Sequence, residues 1–209
     1  MIKAVIFDSG GVLHAQDDDV KNDVAEALGL SLHQVIRIWH STIVLLGTGE
    51  INEPTFWKIV CKTYDLDPVA ASSNLLGKGF ASRFQPFDSV LAFCESLRQR
   101  GLVTAVLSNT IEPHAKVCQA AGVYAPFDHV FLSHRIRLLK PDPAAYRYAL
   151  AQLALEPVET AFIDDRRDNV EAAREIGMHG LVFASIRQLR ERLGVILERE
   201  GMPSPTRPR

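Results

Sequence analysis

The chain has 209 residues, 47% of them hydrophobic, enough to bury one sizeable core with room for a smaller appended unit. Its 23 basic and 25 acidic residues leave a formal charge of -2 and are interspersed, which excludes the strongly basic face of a nucleic-acid or membrane-surface binder. The three cysteines, Cys61, Cys94 and Cys118, are far apart in apolar-periodic stretches and are expected as buried free thiols, not as a disulfide framework.

In chain order, the first element is a strand over the apolar run AVIF at 4–7, which breaks at Asp8. That run is too short for a signal-peptide core. No later run approaches the roughly 18 apolar residues of a membrane span. A soluble, cytoplasmic protein with no nucleic-acid or membrane partner is the expectation. Residues 15–85 then read as helices without a strand. The stretch SLHQVIRIWHSTIVLL opens with a capping box, Ser31 and Gln34, and spaces Val35, Ile38, Trp39, Thr42 and Leu45 helically. NEPTFWKIVCKTY offers Asn52 as N-cap, Pro54 in the first turn, and Phe56, Trp57 and Val60 for burial. The acids at 17–19 suit a helix N-terminus. Beyond this block, β-branched runs at 102–107, 129–132, 160–163 and 180–183 alternate with helix-period segments, the pattern of a parallel α/β sheet. The expected fold is therefore α/β, a Rossmann-like parallel sheet core over 1–14 and 86–195 with an all-helical cap inserted at 15–85. Hinges are expected near 14–18 and 82–87, and a flexible tail at 196–209.

Polar clusters follow directly on three of these strands: Asp8 after AVIF, Ser108, Asn109 and Thr110 after LVTAVL, and Asp164 and Asp165 after TAFI. In an open parallel sheet ligands bind outside the carboxyl ends of the strands, so the clusters should converge on one crevice. Lys140, just before two prolines that open a helix, stands where it can reach an anion at the same edge. The seven histidines show no metal-ligand spacing. Arg37 and His40 on the inserted helix are expected to be solvated, and Arg166 and Arg167 either steer an anion or balance the acids beside them.

The ordered set FDSGGVL, LSN, KPDP and FIDDRRDN resembles the four motifs of the haloacid dehalogenase-like hydrolases, over residues 1 to about 185. Most members of that superfamily are Mg²⁺-dependent phosphatases. The resemblance implies Asp8 as the nucleophile that takes a phosphoryl group, with Ser108, Asn109 and Lys140 holding phosphate oxygens. It further implies Lys140 as a catalytic cation, and Asp8, the Gly10 carbonyl and Asp165 as ligands of Mg²⁺. Asp164 and Asn169 are implied as supporting groups. The substrate class implied is a small phosphorylated metabolite. The departure is Gly10, where such phosphatases carry a second aspartate that acts as general acid and base, a contribution of ~10²–10⁴-fold. His14 lies close enough in sequence to substitute. Two other readings remain open at this stage. One is a HAD-fold protein that binds a phosphorylated ligand or a partner without turnover. The other is a 2-haloacid dehalogenase, whose halide leaving group needs no proton, although Asp164 and Asp165 then crowd an anionic substrate with carboxylates.

Overall fold

Five runs rich in β-branched and apolar residues form the sheet of the computed structural model, which describes residues 1–16, 19–67 and 74–199. Strands β1 (Ala4–Phe7), β2 (Val103–Ser108), β3 (His129–Leu132), β4 (Thr160–Asp164) and β5 (His179–Val182) pair in parallel in the order β3-β2-β1-β4-β5. Each lies within one residue of its sequence expectation. Both faces are covered, so the strands read as continuous apolar runs instead of alternating ones. Along β1 the pleat sends Val5 and Phe7 into one layer and Ile6 into the other.

Strand order reverses at β1, which has β2 on one side and β4 on the other. A crevice opens at such a switch point because the flanking connections leave to opposite faces. Phe7 pairs with both Val106 and Ile163, and the Asp8 amide donates to the Ile163 carbonyl at 2.8 Å. This register brings Asp8 level with the ends of β2 and β4.

Among the described residues, four helices stand between β1 and the next core helix: α1 (Val20–Leu28), α2 (Leu32–Gly47), α3 (Glu53–Tyr64) and α4 (Leu75–Arg83). The capping box of α2 forms as expected, and the Asn52 side chain accepts from the Thr55 amide at 3.0 Å to start α3. The buried face of α2 ends on Leu46, with Leu45 only half-buried, because the helix continues to Gly47 and turns its last apolar contact one residue on. Phe56, Trp57 and Val60 are buried as expected. Glu53 is buried too: its Oε1 accepts from the Trp57 indole and from the Leu76 amide, both at 3.0 Å, tying α3 to α4. Of the acids at 17–19, Asp19 takes the N-cap position of α1, while residues 17 and 18 lie outside the described residues.

The two chain segments that enter and leave this insert run side by side. Ala15 donates to Gln85 at 2.9 Å and Phe87 donates to Leu13 at 2.8 Å. Core helices α5 (Asp88–Gln99), α6 (Glu112–Ala120), α7 (Ser133–Ile136), α8 (Pro143–Leu153), α9 (Arg167–Glu175) and α10 (Ile186–Arg199) complete the fold. The last helix reaches Arg199, four residues past the boundary read from the sequence, because Leu189, Leu193 and Leu197 repeat every four residues and are all buried. Insert and core meet where Phe80 of α4 stacks on His114 of α6, ring centroids 4.2 Å apart. They also meet at Gly49, where the His134 carbonyl occupies the space a β-carbon would take. The three cysteines are free and buried.

Candidate active site

Each polar cluster sits at a strand's carboxyl end for a local reason. After β1 the chain folds into a tight turn in which the Ser9 carbonyl takes the amides of Val12, Leu13 and His14, the shortest at 2.8 Å. Gly11 in this turn has a φ of 75°, and a β-carbon there would collide with the Asp165 carboxylate. Gly10 differs: its φ is outside the left-handed region, and a β-carbon would meet nothing closer than 3.8 Å. The position that lacks the expected aspartate is therefore open to a side chain.

Lys140 is the hub. Its ammonium lies 2.7 Å from Asp8 Oδ1 and 2.7 Å from Asp164 Oδ2, with both the lysine and Asp164 essentially excluded from solvent. A buried cation between two carboxylates persists only because each partner neutralises it. Its backbone is fixed as well, since Lys140 N–H donates to Asn109 Oδ1 at 2.8 Å and the Asn109 amide returns a bond to the Lys140 carbonyl at 2.7 Å. The Asn109 side chain thus clamps the lysine loop. Ser108, buried, closes β2 beside β1. Asp142 caps α8 by accepting from the Ala144 amide, which starts the helix on the second of the two prolines, Pro143.

Asp164 has its bonds filled. Besides Lys140 it accepts from Asn169 Nδ2 at 3.0 Å and from the Arg166 amide at 2.9 Å, and Asn169 is itself held by Tyr146, whose hydroxyl donates to the Asn169 carbonyl at 2.8 Å. Tyr146 carries no sequence signal as a site residue, being one aromatic in an apolar helix face. Asp165 is the opposite case: its Oδ1 is buried with no hydrogen-bond partner among the described residues. A carboxylate oxygen stranded in this way is costly unless something absent from the protein itself binds it.

Ligand oxygens of Asp8, Asp164 and Asp165 lie within 4.8 Å of one another. Burial, with Asp164 nearby, pushes the Asp8 carboxyl up to about 6 against the pull of Lys140. Burial and Asp164 likewise raise Asp165. Such crowding is what a hard divalent cation relieves, and magnesium takes oxygen ligands while retaining waters. The stranded Asp165 oxygen fits that role, and so does the Gly10 carbonyl, which accepts no backbone hydrogen bond among the described residues.

His14 does not reach into the site with a nitrogen. Nδ1 lies 2.9 Å from the Ala15 carbonyl and Nε2 3.1 Å from Ser9 Oγ, and the buried ring packs against Phe80 and Phe84 of the insert. Burial lowers its pKa, favouring the neutral imidazole over the charged one. Arg37, His40, Arg166 and Arg167 are exposed. A cavity of about 340 Å³ lies along the insert–core seam between Leu46, Glu53, Glu112 and Arg135, away from Asp8, Asp164 and Asp165.

Comparisons with known proteins give the family and the fold. A model of haloacid dehalogenase-like hydrolases matches residues 2–177. The chain belongs to that family. Among curated relatives, phosphatase MT3486 of Mycobacterium tuberculosis is 29% identical over 96% of this chain and 99% of its own length. Sesquiterpene phosphatase astK of Aspergillus oryzae is 25% identical over 92% of this chain and 97% of its own. Drimenol cyclase drtB of Aspergillus calidoustus is 27% identical over 88% of this chain, which spans about a third (34%) of that relative. A HAD family enzyme from Bacteroides thetaiotaomicron, in a magnesium complex, superposes with a TM-score of 0.76 at 22% identity, covering 92% of this chain and 98% of its own. A dehalogenase superposes less closely, at 0.57 and 20% identity over 85% and 82%. At these identities the structural likenesses establish the shared fold. No helix among the described residues is long and apolar enough to cross a membrane.

Proposed function

We propose that this HAD-like hydrolase is a phosphatase or phosphotransferase that acts on a small phosphorylated metabolite through an aspartyl-phosphate on Asp8. The observation that carries the reading is the division of labour among three carboxylates. Asp164 is spent on Lys140, while Asp8 faces the same ammonium and Asp165 keeps a buried oxygen without a hydrogen-bond partner among the described residues. In this reading Asp8, the Gly10 carbonyl and Asp165 hold Mg²⁺, which when bound supplies positive charge against the phosphate. Asp8 Oδ attacks phosphorus, the bond to the leaving oxygen breaks with its electron pair, and an aspartyl-phosphate remains. Lys140 offsets the charge gathered between Asp8 and the phosphoryl oxygens, and Ser108 with the Asn109 backbone donates to those oxygens. Without an acid at Gly10, leaving groups of low pKa depart best, so acyl phosphates should outpace alkyl phosphates. The helices of 15–85 act as the cap that selects the substrate.

The dehalogenase reading has the weaker support, since a negatively charged haloacid would enter among Asp8, Asp164 and Asp165 where the Lys140 ammonium is already shared between Asp8 and Asp164. The test is incubation with acetyl phosphate, with and without Mg²⁺, followed by intact mass. An added phosphate that is lost on hydroxylamine treatment and absent in Asp8→Asn is the expected result. No phosphoenzyme and no turnover in a protein that binds Mg²⁺ would turn the assignment to a non-catalytic ligand-binding protein.

A further inference from the structure

Resting on the aspartyl-phosphate reading, the open place beside Gly10 raises the question of what sets the water that completes turnover. A β-carbon at Gly10 would have two neighbours, His14 Cε1 at 3.8 Å and Gln16 Oε1 at 3.9 Å. These two side chains border the volume in which the absent aspartate would stand. Both ring nitrogens of His14 are engaged with Ala15 and Ser9, so the histidine presents carbon to that volume. Gln16 presents a carbonyl oxygen. The same Oε1 is 3.2 Å from the β-carbon position of Gly11, the point that the Asp165 carboxylate also crowds. The glutamine oxygen therefore borders both the space that Gly10 leaves bare and the Gly11 position that the Asp165 carboxylate crowds.

The backbone under Gln16 is fixed. The Gly11 amide donates to the His14 carbonyl at 2.9 Å, and Ala15 N–H donates to Gln85 at 2.9 Å. Residue 16 thus leaves the turn in a set direction although its side chain is exposed. A carboxamide also suits the electrostatics. A fourth carboxylate beside Asp8, Asp164 and Asp165 adds repulsion, whereas a neutral amide oxygen accepts a hydrogen bond without adding charge.

We propose that Gln16 positions the hydrolytic water, taking by orientation part of the role that an aspartate at Gly10 would fill by proton transfer. In the step, water oxygen bonds phosphorus while the phosphorus–oxygen bond to Asp8 breaks and its electron pair returns to the Asp8 carboxylate. One water hydrogen is held by Gln16 Oε1. The other passes as a proton to a phosphoryl oxygen, since an amide is too weak a base to take it, and dihydrogen phosphate leaves with both hydrogens of the water.

A single-turnover experiment tests this. The protein is phosphorylated with acetyl phosphate and Mg²⁺, excess donor is removed, and loss of the added mass is followed in wild type, Gln16→Leu and Gln16→Glu. Leucine keeps the bulk without the acceptor, and it should slow dephosphorylation about 10- to 100-fold while changing the rate of phosphorylation less than about two-fold. Glutamate restores an acceptor and adds a base, so its dephosphorylation should return to at least the wild-type rate and rise with pH as the new carboxyl ionises. Dephosphorylation of Gln16→Leu at the wild-type rate overturns the proposal. Equal slowing of both half-reactions overturns it too, because it marks a general disturbance of the loop. Failure of the wild type to become phosphorylated overturns the parent reading, and is distinguished because it appears before any change at Gln16.

Discussion

Two aspartate sites at opposite ends of the sheet solve opposite problems. Asp128, just before β3, accepts from the Thr104 amide at 2.9 Å, from the Thr104 hydroxyl at 3.2 Å and from Arg98 Nε at 2.9 Å. Despite partial burial, these donors hold its carboxyl below the ordinary aspartate range. At the carboxyl ends, Asp8 and Asp165 are raised by burial and by Asp164, and one Asp165 oxygen has no hydrogen-bond partner among the described residues. The same residue type closes a strand junction in one place and is left in electrostatic debt in the other. Natural folds keep such frustration where a ligand relieves it, so the carboxyl end reads as a site and the amino end as a joint.

The severest way to break this contrast is to remove the ion between the crowded acids. Lys140→Ala leaves Asp8 and Asp164 facing each other without a cation. It should cost about 3–5 kcal/mol of stability in a urea titration and ~10²–10³-fold in acetyl phosphate turnover. Retention of wild-type stability would show that the pair is not the buried hub described above. A second change fills the bare position. Because Gly10 has ordinary φ and space for a β-carbon, Gly10→Asp should fold as the parent does and raise alkyl-phosphate turnover ~10²-fold or more. A folded variant without that gain would count against a latent phosphatase.

Metal sharpens the comparison next. Saturating Mg²⁺, at ~100 times its dissociation constant, should add about 2.7 kcal/mol to stability, read as a rise in Tm. Asp165→Asn should lose most of that rise. Asp128→Asn should keep it. A rise that survives in Asp165→Asn would move the metal elsewhere. The smallest effect belongs to the joint. Since the folded pKa of Asp128 is depressed, the native state binds fewer protons than the unfolded chain around that pKa, and its contribution is present above the ordinary value of 3.8 and lost as pH falls through the folded value. With both partners partly exposed, Asp128→Asn should cost at most about 1 kcal/mol at pH 7. Thermal melts should show that difference shrinking below pH 4, roughly where the wild-type carboxyl protonates, with catalysis unchanged throughout.

Much of this was legible in the residues themselves. Runs such as AVIF and TAFI announce buried parallel strands, because a strand covered on both faces has no polar alternate positions. Ser31 with Gln34, and Asn52 with Pro54, announce helix starts through local hydrogen bonds that need no distant partner. The polar residues that end strands could be assembled into one crevice by a topological rule alone. Roles that depend on direction were not legible. The sequence places His14 four and Gln16 six residues after Gly10 without fixing where either points, yet the turn around the Ser9 carbonyl turns the histidine nitrogens away and leaves the glutamine oxygen beside the gap. Nor does the pair Asp164–Asp165 tell which acid serves the lysine and which keeps a stranded oxygen, for adjacent residues on a strand end point to different surroundings. Periodicity and short-range bonding are properties of the chain, and determined its elements. Partner choice among charged groups is a property of packed space, and only the tertiary structure decided it.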